Sequence, residues 1–344
     1  MAVASLRRGK WIPNVGALLR VLVLGLFTVV VVIYAFKEGV HGFPASDLTP
    51  TGTVFLALVP LLLFNYVGFE LQSGAAEEMD DPQRDVPVSL LRSGALGVAL
   101  YAVPVFGIIL VLPPEAITGI GGFLDAVTVV FDDVLGGASG FLKGVMAVAF
   151  VGTLLTSGSV WMIGSDRIQA VAAADGAFFP FFGRFNAALG TPVRVNVLSG
   201  IVATLFMVAA VAIFDSGANA TFVVVLTIAI STTLISYLWI FAAAVKLRSA
   251  HPEVDRPFRV PGGDLGIELC GAIVIFWVAL GAWVAVFPGV LESVFGLKYD
   301  FVDTWGVGRG KFEALTLGTL AVVLLLGLAG YAAGAGERRR SALA

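Results

Sequence analysis

The sequence predicts an all-α polytopic membrane protein of about eight transmembrane helices, one of them interrupted. Composition is the first reason. Of 344 residues, 58% are hydrophobic and only 13% charged, against about 25% charged in soluble domains, and mean hydropathy is +0.96. The second reason is spacing. Apolar stretches of the length a span needs, about 20 residues, recur at 15–36, 53–74, 90–112, 142–164, 195–214, 219–245, 265–288 and 312–333. Short connections separate most of them, so residues 1–344 read as a single membrane domain. The third reason is a violation of the pattern. Asn65, Gly68, Glu70, Gln72, Ser73 and Gly74 crowd the second stretch. A carboxylate at membrane depth marks a functional site by default, and the glycines beside it predict a broken helix, which is tolerated where backbone is buried in protein or lines a cavity.

Lys and Arg in the loops set the orientation. One side collects Arg7, Arg8, Lys10, Arg20, Arg84, Arg92, Arg167, Arg184, Arg194, Lys246, Arg248, Arg256, Arg259 and Arg338 to Arg340; the other has Lys37, Lys143, Lys298, Arg309 and Lys311. The richer side is expected to be cytoplasmic. Both termini then lie inside, as an even number of spans requires, and the location is the plasma membrane. The basic start runs straight into a full-length span and is not read as a signal peptide.

In chain order, the first span opens with Lys10-Trp11-Ile12-Pro13-Asn14. Trp11 suits an interfacial anchor and Pro13 a first helical turn. Arg20, further inside, fits either a side chain snorkelling back to the surface or a fixed positive charge facing a polar interior. The interrupted second span exits through the charged run Glu77 to Asp85. Pro104 is expected to kink the third. Between 113 and 140, apolar residues at near-helical spacing predict an amphipathic helix over the outer mouth. The fourth span carries Thr153, Thr156, Ser157, Ser159 and Ser165; this stripe suits either close helix packing or a ligand-facing or ion-facing surface. The sixth carries Thr227, Ser231, Thr232, Thr233, Ser236 and Tyr237, and a basic, Pro-containing loop follows. Spans seven and eight are plain.

Several functions are excluded. Net charge is −3, which argues against nucleic-acid partners. The single cysteine, Cys270, allows no disulfide or cysteine metal site within one chain. The two histidines, His41 and His251, lie in loops. The Gly137-Ala138-Ser139-Gly140 motif has no membrane histidine to activate its serine. No P-loop supplies an ATP-driven step. The chain therefore reads as a non-enzyme without cofactor or metal. Polar residues inside interrupted helices are the physics of secondary transport.

The stretch GFELQSGAAEEMDDPQRDVP resembles the sixth transmembrane segment and following loop of the amino acid–polyamine–organocation (APC) superfamily, matching at Gly68, Phe69, Glu70, Ala76, Glu77, Glu78, Pro82, Arg84 and Pro87. SDRIQAVAAADGAFFPFFGRFNAALGTPVRVN resembles that superfamily's segment after the eighth helix, HPEVDRPFRVPGG its loop after the tenth, and KWIPNVGALLR the entry to its fifth. The resemblance implies an APC/LeuT-like inverted-repeat fold in which these eight spans correspond to helices five to twelve. The first four helices would then be missing, which reads as an N-terminally truncated gene or a misplaced start. The implied function is an amino acid permease: a secondary transporter or exchanger working by alternating access on a small amino acid, in the lipid bilayer, coupled to H+ or to an exchanged amino acid, and compatible with a homo-oligomer. The alternatives are a non-transporting truncated or accessory membrane protein, and a polyamine or organocation carrier. The resemblance places substrate binding at Asn65, Tyr66, Val67, Gly68, Phe69, Glu70 and Gln72, and coupling or gating at Arg20, Glu70, Thr156, Ser157 and Ser159. Arg20 falls at the place where, in proton-coupled or cation-independent members, a lysine can occupy the region of sodium; arginine stays protonated, so exchange or sodium-independent transport is expected. Glu70 fits two roles, a carboxylate holding the break in shape or one that moves a proton.

Overall fold

A computed structural model describes residues 11–40, 49–71, 79–113, 122–213, 218–256 and 258–341. They are all-α, with no strand among them. Eight of the described helical segments are long and apolar enough to cross a membrane. The chain divides into two compact units. Unit 1 is Met1–Asp47, Val88–Val171 and Phe182–Ser199; unit 2 is Leu48–Pro87, Ala172–Phe181 and Gly200–Ala344.

Unit 1 holds α1 (Trp11–Glu38), most of α3 (Pro82–Val111), α4 (Gly122–Leu135) and most of α5 (Ser139–Ala174). Pro104 sits inside α3 without ending it. The amphipathic helix expected over 113–140 is α4, with residues 114–121 outside the described part. Ala126, Val127, Val130 and Phe131 form its buried face, at the spacing of one helical stripe. They pack on Val23, Phe27, Val30 and Val31 of α1. Phe123 bridges the layers, edge-on to Phe27 at 5.0 Å and stacked on Phe150 at 5.8 Å. Polar pins tie the ends: Lys37 Nζ donates to the Asp133 carbonyl, and Lys143 pairs with Asp132 at 2.7 Å.

Unit 2 is built on α2 (Gly52–Phe64), α7 (Ala218–Ala250), α8 (Gly263–Val286) and α11 (Arg309–Ala333), together with most of α6 (Val193–Ile213). The α7–α8 and α2–α8 pairs are its main helix contacts. Gly281 of α8 permits them: a Cβ there would lie 2.6 Å from Leu63 of α2 and 3.2 Å from Leu234 of α7. Small residues at such crossings let membrane helices approach closely. Beyond α8, the short α9 (Val290–Val294) and α10 (Phe301–Trp305) cap the unit. Phe312 is fully buried among Phe301, Trp305 and Val307, Arg309 lies 4.7 Å over the Phe301 ring, and the Trp305 indole donates to the Tyr299 hydroxyl at 2.5 Å. Burial pushes the Tyr299 phenol above its ordinary range, and the Glu292 carboxylate adds to the shift. At the other end, Arg338 of α12 (Ala335–Ser341) donates to the Gly176 carbonyl and stacks 3.6 Å over Tyr331.

Candidate functional site

Among the described residues, the polar residues singled out in the sequence gather at two breaches of the apolar helices, one in each unit. In unit 2 the breach is the break after α2. Pro60, inside the helix, has no N–H to offer the ladder. The helix closes at Asn65, whose amide donates to the Leu61 carbonyl at 3.1 Å. Two tighter bonds follow, Tyr66 N–H to Leu63 O at 3.1 Å and Val67 N–H to Phe64 O at 3.3 Å. Gly68 then turns the chain at φ +93°, a left-handed conformation that glycine adopts without steric cost. Residues 69–71 make one 3-10 turn. The interruption therefore starts where the sequence placed it. Gln72 lies outside the described residues.

Tyr237 of α7 clasps this break. Its hydroxyl accepts the Gly68 N–H at 2.8 Å and donates to Glu70 Oε2 at 2.5 Å. The second distance is in the range of about 2.5–2.7 Å expected for a hydroxyl donating to a carboxylate. Tyr237 is 3% exposed. Phe69 meets its ring edge-on at 5.6 Å and stacks on Phe241 at 6.1 Å, while Val67 packs against the same cluster. Thus Val67 and Phe69 anchor the break, Gly68 and Glu70 hook it to α7, and Asn65 and Tyr66 are its exposed polar side chains. Three carbonyls at the end of α2, those of Leu61, Leu63 and Phe64, are taken up by the turn itself. The break can offer a ligand side-chain amide, phenol and carboxylate chemistry beside an apolar wall.

In unit 1 the breach lies between α1 and α5. Arg20 donates from Nη2 to Ser157 Oγ at 3.3 Å. The two side chains share a cleft with Pro13, Gly16, Ala17 and Thr156. Thr156 is packed rather than presented: a methyl on Gly16 would overlap it, and its hydroxyl donates to the Gly152 carbonyl of its own helix at 2.8 Å. Ser159 likewise donates to Leu155 O at 2.9 Å, and Thr153 to Ala149 O at 2.9 Å. Back-bonding of this kind is the ordinary way a helix absorbs hydroxyls. Among the described residues, the member of the stripe to which Arg20 donates is Ser157. The cleft therefore offers one guanidinium and one hydroxyl, a constellation suited to anionic or carbonyl oxygen.

The structure joins Glu70 to Gly68 through Tyr237 and Arg20 to Ser157; the two sets belong to different units. Sequence reasoning missed Tyr237 as a site residue. Its one signal was a lone phenol in a span whose other mid-span hydroxyls are Ser and Thr. No group of His, Cys, Asp or Glu arranged for a metal occurs among the described residues.

Residues 1–299 match the family described as amino acid permease, a match that takes in both breaches. The chain is 31% identical over 220 residues to an uncharacterized transporter of Legionella pneumophila, covering 64% of this chain and 46% of that protein. It is 29% identical over 274 residues to a probable agmatine/putrescine antiporter of Lactococcus lactis, covering 78% of this chain and 57% of the relative. It is 24% identical over 294 residues to the glutamate/gamma-aminobutyrate antiporter of the same species, covering 83% and 53%. The chain spans about half the length of these curated relatives. Eight membrane-length helices, an interrupted helix carrying the Gly68-Phe69-Glu70 motif, and a match over most of the sequence lead to one conclusion: the chain belongs to the amino acid permease family of the APC superfamily.

Proposed function

We propose that the chain works in exchange of amino acids or related amines across the cell membrane, by alternating access, with its two units acting within one membrane domain and both termini inside. The observation that carries this reading is the break at Asn65–Gly68, with Glu70 held by Tyr237. A carboxylate and exposed polar side chains beside Phe69 suit the ammonium group and the apolar part of an amino compound. Two relatives named as antiporters, one for agmatine and putrescine and one for glutamate and gamma-aminobutyrate, support exchange and amino-compound substrates. Arg20 supplies a permanent cation in unit 1, which suits sodium-independent exchange coupled to a counter-substrate or to H+. The agmatine/putrescine relative also favours a second reading, a carrier of di- or polyamines, for which Glu70 would be the complementary charge.

The test is counterflow in proteoliposomes. Vesicles loaded with unlabelled glutamate, gamma-aminobutyrate, agmatine or putrescine are given the labelled compound outside. The same panel is run on a chimera that adds the region of the agmatine/putrescine relative outside the match. Accumulation of one class above protein-free vesicles names the substrate. Failure of every compound in both forms rejects transport and favours a non-transporting membrane protein.

A further inference from the structure

Two buried carboxylates among the described residues, Asp166 and Glu292, serve neither breach, and Asp166 lies on a membrane-length helix. Asp166, on α5 in unit 1, is 3% exposed. Its Oδ1 accepts the Ser199 hydroxyl of α6 at 2.7 Å. Its Oδ2 is buried and has no hydrogen-bond partner among the described residues. Both helices are apolar and membrane-length. A carboxylate withdrawn from water is disfavoured in its charged form unless its oxygens are paired. Among the described residues no ionisable group pairs it. Arg167, its neighbour in sequence, donates to the Gly190 carbonyl at 3.0 Å. Arg194 of α6, Arg184 of the α5–α6 connection and Lys143, which pairs with Asp132 near the start of α5, are the other cations of these elements, and among the described residues the group that acts on Asp166 is Ser199. Thr191 and Asn196, buried at the start of α6, are neutral.

We propose that Asp166 Oδ2 is a proton-binding site, and that the proton it takes up is the one coupled to transport. An O–H bond forms at Oδ2 when water at that end of α5 delivers a proton. The carboxyl becomes neutral, with Ser199 still held at Oδ1. The bond breaks when the proton returns to water. The coupling role rests on the transport reading above; the proton site does not.

The full chain is reconstituted in liposomes and titrated by infrared difference spectroscopy, which reads the carbonyl stretch of a protonated carboxyl. The expected result is a band that appears with acidification in the wild type and is lost in Asp166→Asn. Glu70→Gln keeps the band. Ser199→Ala, which removes the one donor without touching the acid, keeps it but displaces the pH at which it appears, a displacement that a merely structural Asp166 would not give. In the same vesicles, Asp166→Asn retains substrate exchange but loses uptake driven by a proton gradient. Identical difference spectra for wild type and Asp166→Asn overturn the proposal, as does a band abolished by adding sodium at constant pH, which would make the site one for a metal cation. If Asp166→Asn does not fold, as judged by gel filtration, the Ser199→Ala displacement decides. A titrating band without any exchange supports the proton site and removes the transport reading.

Discussion

Replacing Tyr237 by Phe isolates the clasp on the helix break. The ring keeps its contacts with Phe69 and Phe241, at 5.6 and 5.7 Å between centroids, so the change removes one hydroxyl and two hydrogen bonds. Two magnitudes compete. Hydrogen bonds to charged groups in soluble proteins contribute about 1.5–3 kcal/mol. Interhelical hydrogen bonds in membranes average about 0.6 and reach about 1.7 kcal/mol, because the unfolded chain in lipid also finds partners. The bond to Glu70 is short and charge-assisted, which puts it at the top of the membrane range, and the Gly68 bond adds a fraction. A loss of about 2 kcal/mol is expected, measured by reversible denaturation in mixed micelles. A double-mutant cycle with Glu70→Ala should return about 1.5 kcal/mol of coupling, since each single change breaks the same bond. Coupling below about 0.5 kcal/mol, within the usual tolerance of additive pairs, would show that the clasp does not hold the break.

Three further outcomes follow from other parts of the molecule. Gly281→Ala introduces a Cβ 2.6 Å from a Leu63 methyl and 3.2 Å from a Leu234 methyl; both side chains must give way inside the α2–α7–α8 packing, so about 1–3 kcal/mol of stability should be lost by overpacking, and an unchanged denaturation midpoint would contradict the α2–α8 packing. Tyr299, raised by burial and then by Glu292 above its ordinary value of 10.0, is neutral in the fold; its stabilisation is complete below that value and disappears as pH rises through the raised one. Tyr299→Phe should therefore remove an alkaline step in stability, seen in unfolding curves at stepped pH, and an identical alkaline profile would argue against it. If Arg20 is a permanent substitute for a bound cation, replacing sodium by choline should leave exchange unchanged, and a sodium-stimulated rate in counterflow would remove that role.

By itself, the sequence determined the all-α membrane class, the number of membrane-length helices, the amphipathic α4 and the place where the second span breaks. These depend on local physics: the length of an apolar run, its 3.6-residue stripe, and glycine beside a carboxylate. It also carried the motifs by which the family was recognised. Only the tertiary structure decided which polar residues are engaged with each other. Tyr237 is 167 positions from Glu70 and Ser157 is 137 from Arg20, and nothing in hydropathy ranks one hydroxyl of a span above the next. Thr156 and Ser159 illustrate the limit. As sequence they match Ser157, but both hydroxyls donate to their own backbone, Thr156 with Gly16 packed closely against it, and Ser157 is left to the arginine. The same reason hid Asp166: a carboxylate near a helix end reads as solvated until a neighbouring helix covers it, and burial is a property of the packed chain rather than of the residue.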